Sequence, residues 1–139
     1  MLTFLGVAFS IYGAMHFYAL GKVWQAFPQA AWLAWALSFC GLVMTLSPFI
    51  LWQITRQNWH GAALATSWVT YLWMGFLFLF CCTALLLDFA QALPALFGFR
   101  WQLEAAVKLP AITLLALLLT GYGLVAARNI QVEEIKITT

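Results

Sequence analysis

The sequence predicts an all-α protein, a four-span transmembrane helical bundle with a short interfacial helix before the last span and a short extended tail. Two observations carry this. Hydrophobic residues make up 65% of the 139 and charged residues only 7%, too little polar surface to cover a water-facing globule. The few charges also divide the chain into charge-free runs over 1–21, 23–55, 57–87 and 109–127, each near or above the eighteen or so residues that mark a membrane-crossing helix.

Span one is expected over roughly 3–20, closed by Gly21 and Lys22. A cleaved leader is a poorer reading, because no basic segment precedes the run and GKVWQAFPQA is a poor small-residue cleavage site. Span two follows Pro28 and runs from about Ala31 to Trp52, with Ser47-Pro48 in its last third. Proline removes one intrahelical bond, which a lipid-embedded helix tolerates when a neighbouring group covers the freed carbonyl. After the loop RQNWHG, span three covers about Leu64 to Leu87 and is expected to end at Asp88. Span four starts near Leu109-Pro110 and leaves the membrane near Arg128.

Between spans three and four, Arg100, Glu104 and Lys108 are spaced four apart. On a helix they form one charged stripe, so the expectation is an interfacial helix, or an extension of span four, with that face in water. An even number of spans puts both termini on one side, here side A, the opposite face being side B. Trp24, Trp32 and Trp101 then mark side B, and Trp52, Trp59 and Trp68 side A, as expected of aromatic belts at the two headgroup levels. Lys22, Arg100 and Lys108 on one side balance Arg56, Arg128 and Lys136 on the other, so the positive-inside rule assigns no orientation. Gly6-Ser10-Ala14 and Gly123-Ala127 offer faces for close helix approach.

The bulk numbers also exclude functions. A formal charge of +2 with no basic cluster leaves no nucleic-acid footprint. Cys40, Cys81 and Cys82 lie in apolar runs without a CxxC spacing and read as packing residues. No HExxH, DxH, GxSxG or glycine-rich phosphate loop occurs, and four scattered acids cannot build a two-metal site. No catalytic, cofactor-binding or metal-ligating residue is therefore assigned. A channel or transporter would require a more polar pathway, or helices broken at corresponding points of two halves, and Pro48 and Pro110 are not such a pair.

The structural polar candidates are His16, Lys22, Asp88 and Arg128. His16 is placed about one turn below side B and His60 at side A, so a hydrocarbon layer about 30 Å thick separates them and they cannot clamp one haem iron. Intramembrane ionisable groups seek partners. One hypothesis is a His16–Asp88 hydrogen bond tying span one to span three, with Lys22 at a similar level. The alternative is that each group simply reaches the headgroup region.

The stretch YLWMGFLFLFCCTALLLDFAQAL (71–93) resembles the third span of multi-pass membrane proteins of the calcineurin-like metallophosphoesterase family. TGYGLVAARNIQVEEIKI (120–137) resembles their fourth span and its exit, and IYGAMHFYALGKV (11–23) and LSPFILW (46–52) are looser matches. The resemblance implies a membrane-anchoring front end, 1–128, followed by an exit segment, 129–139, that would be the first strand or linker of a soluble domain. That domain would hold divalent metals on Asp, His and Asn ligands and hydrolyse phosphate esters. No aspartate-any-histidine motif stands in this sequence, so the chain itself is expected to be non-catalytic and without cofactor. The implied partners are the lipid bilayer and a downstream phosphoesterase domain, and the implied location is a bacterial inner membrane. The other reading is a stand-alone membrane interaction or assembly subunit that binds another membrane protein.

Overall fold

The computed structural model describes residues 2–98 and 103–128. It contains four helices and, among the described residues, no strand: α1 (Leu2–Ala26), α2 (Ala31–Arg56), α3 (His60–Leu96) and α4 (Ala105–Arg128). Arg100, Trp101 and the exit segment 129–139 lie outside the described residues, and with them the expected extended tail.

Among the described residues, three helices are long and apolar enough to cross a membrane: Trp35–Arg56, His60–Pro94 and Ala105–Arg128. The expectation from the sequence was four. Helix α1 has the length, 25 residues or about 37 Å at 1.5 Å per residue. Its strongly polar residues, His16, Lys22 and Gln25, all fall in its C-terminal half.

Each connection has a local cause. Asn58, at φ 57°, takes the left-handed conformation, which Asn tolerates better than most residues because its short amide bonds locally. Around it the His60 N–H donates to the Asn58 carbonyl at 3.0 Å, closing the α2–α3 turn. Beyond α3, Gly98 at φ 85° provides the left-handed residue that commonly stops a helix, and the Phe97 N–H donates back to the Pro94 carbonyl at 3.0 Å. Pro48 does not break α2. It would leave the Met44 carbonyl without its helical donor, and the Ser47 hydroxyl donates to that oxygen at 2.7 Å.

Two expectations about the α3–α4 region are corrected. Helix α3 does not end at Asp88 but continues through Gln91 and Pro94 to Leu96, 37 residues in all. The residues after Asp88, FAQALPAL, are mostly good helix formers, and the turn-ending glycine comes only at Gly98. Nor is there a separate interfacial helix among the described residues: Leu103 and Glu104 are non-helical, and α4 begins at Ala105, ahead of Leu109-Pro110, as the alternative of an extended span four has it. The Glu104 carbonyl accepts the Lys108 N–H at 2.9 Å, so Glu104 stands at the very start of this helix.

In cross-section the bundle is a rhombus. Helices α1 and α3 touch each other across its short diagonal, and each also packs against both α2 and α4; α2 and α4 do not meet. The core is small and lies along that diagonal: Tyr12 from α1, Leu77, Phe80, Cys81 and Ala84 from α3, and Ile112 and Ala116 from α4. Outside it the surface is apolar on every helix, with Phe17, Trp35, Phe39, Leu86, Leu118 and Tyr122 among the large side chains left exposed. In water such a surface would aggregate; it suits acyl chains.

Candidate functional site

Two polar knots lie between the helices, and the residues that sequence analysis singled out divide between them. The first surrounds His16, only 6% exposed. Its Nε2 accepts from the Trp73 indole N–H at 3.0 Å. An indole nitrogen can only donate, so Nε2 carries no proton and the ring is the neutral Nδ1–H tautomer. That N–H faces the Tyr12 carbonyl at 3.0 Å and the Thr45 hydroxyl oxygen at 3.2 Å. The Thr45 proton is itself given to the Gly41 carbonyl at 2.7 Å, which leaves its oxygen free to accept. One imidazole thus links α1 to α2 and α3 with both nitrogens used.

Gly41 makes room for this ring. A Cβ at that position would stand 3.3 Å from His16 Cδ2, tighter than ordinary contact. Tyr12 meets the imidazole edge-on, with centroids 4.7 Å apart. The partners also fix the depth of His16. Thr45 is in the middle of α2, and Trp73 is 13 residues into α3, about 20 Å along its axis. His16 therefore sits near mid-bundle and not one turn below side B. His60 opens α3 and is exposed.

The second knot is centred on Asp88. Its Oδ2 accepts from the Tyr18 hydroxyl at 2.6 Å and the Lys22 ammonium at 2.5 Å. Its Oδ1 accepts from Lys108 at 2.5 Å, and Lys108 also donates to Gln91 Oε1 at 2.7 Å. The side chains of both lysines are 13% exposed and that of Asp88 31%. Lys22 additionally lies 5.2 Å from the Tyr18 ring centroid. One carboxylate thereby joins α1, α3 and α4.

The hypothesised His16–Asp88 bond is absent, because each group has its own partners at a different depth. From the sequence, Lys22 reads as being at a similar level to Asp88 without being its partner, and Lys108 reads as part of a water-facing stripe. The signal was available: Lys22, Asp88 and Lys108 are the three charges that bound spans one, three and four on one side. Arg128, the fourth candidate, is the exposed last residue of α4 and belongs to neither knot.

Among the described residues no three His, Cys, Asp or Glu side chains gather as a metal-binding group. The cysteines are free thiols, and Cys81 S–H points at the Met15 carbonyl, 3.5 Å away, as a packing contact between α1 and α3. Along the outer face of α3 and α4 runs an apolar groove of about 440 Å³, floored by Gly75 and Gly123 and flanked by Trp68, Tyr71 and Leu119. No family model, no curated protein and no solved structure matches this chain.

Proposed function

We propose that this chain is a non-catalytic membrane anchor: a pre-tied helical bundle that holds an attached or associated soluble domain, a metal-dependent phosphoesterase, at a bacterial inner membrane. The observation that carries the anchoring role is the Asp88 knot. Three helices from distant parts of the sequence meet on one carboxylate, while the bundle's outside is apolar. Such a body is internally crosslinked and needs lipid around it. Its buried polar groups are mostly spent on one another, as in a structural element.

In this reading α1 crosses the bilayer as the fourth span, supported by its contacts with all three other helices. Both termini then lie on one side, with the α1–α2 and α3–α4 connections on the other. The phosphoesterase part rests on the likeness of 71–93 and 120–137 to the third and fourth spans of that family. A fusion of the chain to a soluble reporter after Thr139 tests the anchor. The reporter should remain with the membrane pellet after an alkaline wash, and cysteines at Gln29 and Gly98 should react from the face opposite to one at Gln57. Release of the reporter, or labelling of all three from one face, would refute the reading. Phosphoesterase activity should appear only when a domain downstream of residue 139 is supplied.

The groove between α3 and α4 favours a second reading, a stand-alone assembly subunit. Small residues at Gly75 and Gly123 leave open space where a Cβ would stand, and such faces admit a neighbouring helix closely. A stable membrane partner recovered in mild detergent, and lost on Gly123→Leu, would favour this reading over the anchor.

A further inference from the structure

The Asp88 knot does not balance. Two ammonium groups, Lys22 and Lys108, share one carboxylate; Tyr18 and Gln91 add hydrogen bonds but no charge. Both lysine side chains are 13% exposed, so one positive charge is held largely out of water without a counter-charge in the knot. Glu104, the nearest acid in sequence, is exposed and makes no ion pair among the described residues.

The same two lysines line a narrow cleft between α1 and α4, together with Gln25, Ala105 and Leu109. An ammonium carries three donors. Among the described residues Lys22 gives one to Asp88, and Lys108 gives one to Asp88 and one to Gln91, so neither ammonium has used all its donors there. Ala105 is the first residue of α4, so the positive end of that helix dipole adds to the potential there. The cleft has a volume of about 10 Å³, room for about one water-sized atom. Trp24, half-exposed in the last turn of α1, puts this level at the headgroup region.

We propose that the mouth of this cleft binds a negatively charged phosphate group, inserting one phosphate oxygen between Lys22 and Lys108 while the rest of the group stays outside on Gln25. An anionic phospholipid headgroup and a free phosphate ion share this chemistry. Phosphate oxygens are strong acceptors for ammonium donors, and a cation near the membrane surface raises affinity for anionic lipid by about fivefold.

The test uses the full chain in mild detergent, with native mass spectrometry reading retained lipid. Phosphatidylglycerol should be retained about fivefold over phosphatidylcholine. Lys22→Gln should remove that preference, whereas Arg56→Gln at the opposite end of the bundle should keep it. Because Lys22→Gln also weakens the knot, Gln25→Glu is the second variant: Gln25 is exposed, so the bundle persists while the new carboxylate repels the phosphate. Millimolar inorganic phosphate distinguishes the sources. Displacement of the lipid assigns the site to the free ion, and continued retention assigns it to the headgroup. Equal retention of the two lipids without phosphate binding, or a preference that survives Gln25→Glu, would overturn the proposal.

Discussion

Removing the Asp88 carboxylate should loosen three helices at once. In Asp88→Ala, Lys22, Lys108 and Tyr18 all lose their acceptor, leaving two like charges facing each other with little water. Removing one partner of a fully buried ion pair costs about 3–5 kcal/mol, whereas exposed pairs contribute about 0–1 kcal/mol. With the lysine side chains 13% exposed and Asp88 31% exposed, the expected loss lies between those limits, about 2–3 kcal/mol. For a chain of this size that corresponds to a fall in melting midpoint of about 6–12 °C. Asp88→Asn keeps one acceptor oxygen and should lose about half as much. The assay is thermal unfolding in mild detergent, followed by helical circular dichroism. The combined variant Asp88→Leu, Lys22→Met, Lys108→Met should regain most of the stability, since replacing a whole ionic cluster by apolar groups is often neutral. Unchanged midpoints for both single variants, or a combined variant no better than Asp88→Ala, would refute the reasoning.

Trp73→Phe removes the donor to His16 Nε2 found among the described residues, and an orphaned buried acceptor costs about 1–3 kcal/mol; adding His16→Leu should recover part of the loss in the same melting assay. Thr70 is 2% exposed and its hydroxyl has no partner among the described residues, so Thr70→Val should be neutral or raise the midpoint, and a clear fall would show that the hydroxyl is paired. Gly41→Leu should be strongly destabilising, because even a Cβ there would already press on the His16 ring, whereas leucine at Gly6, where a Cβ would meet nothing within 4 Å among the described residues, should leave the midpoint nearly unchanged.

Helix number and approximate positions were legible because they depend on a coarse quantity, the length of chain between charges. Partner choice was not, because it depends on depth, and depth depends on where each helix starts. Treating Asp88 as the end of α3 left out about 12 Å of helix that follows it. Reading Glu104 and Lys108 as part of a water-facing stripe missed that Lys108, in the first turn of α4, reaches Asp88. His16 reads from the sequence as lying about one turn below side B. Its true level is set by a glycine on α2 and an indole on α3, and nothing in a single sequence pairs those two positions with it. The Ser47-Pro48 pair was the opposite case. The need to cover one carbonyl is local, so the requirement could be stated from the sequence, and the serine beside the proline meets it.

The wide sequence separation within the Asp88 knot has a consequence for how the protein is made. Lys22 leaves the ribosome 66 residues before its acceptor, an interval of about 3–13 s at ordinary synthesis rates, and Lys108 follows 20 residues after Asp88. During that interval the α1–α2 hairpin must be accommodated in the bilayer with a bare ammonium, which the lysine's long stem allows by keeping its head at the interface. When α3 arrives, Asp88 can draw Lys22 down, and only α4 completes the set. The knot therefore works as a latch on assembly order: a chain halted before Lys108 has every helix contact that α2 will ever make, yet its carboxylate still lacks one of its two cations.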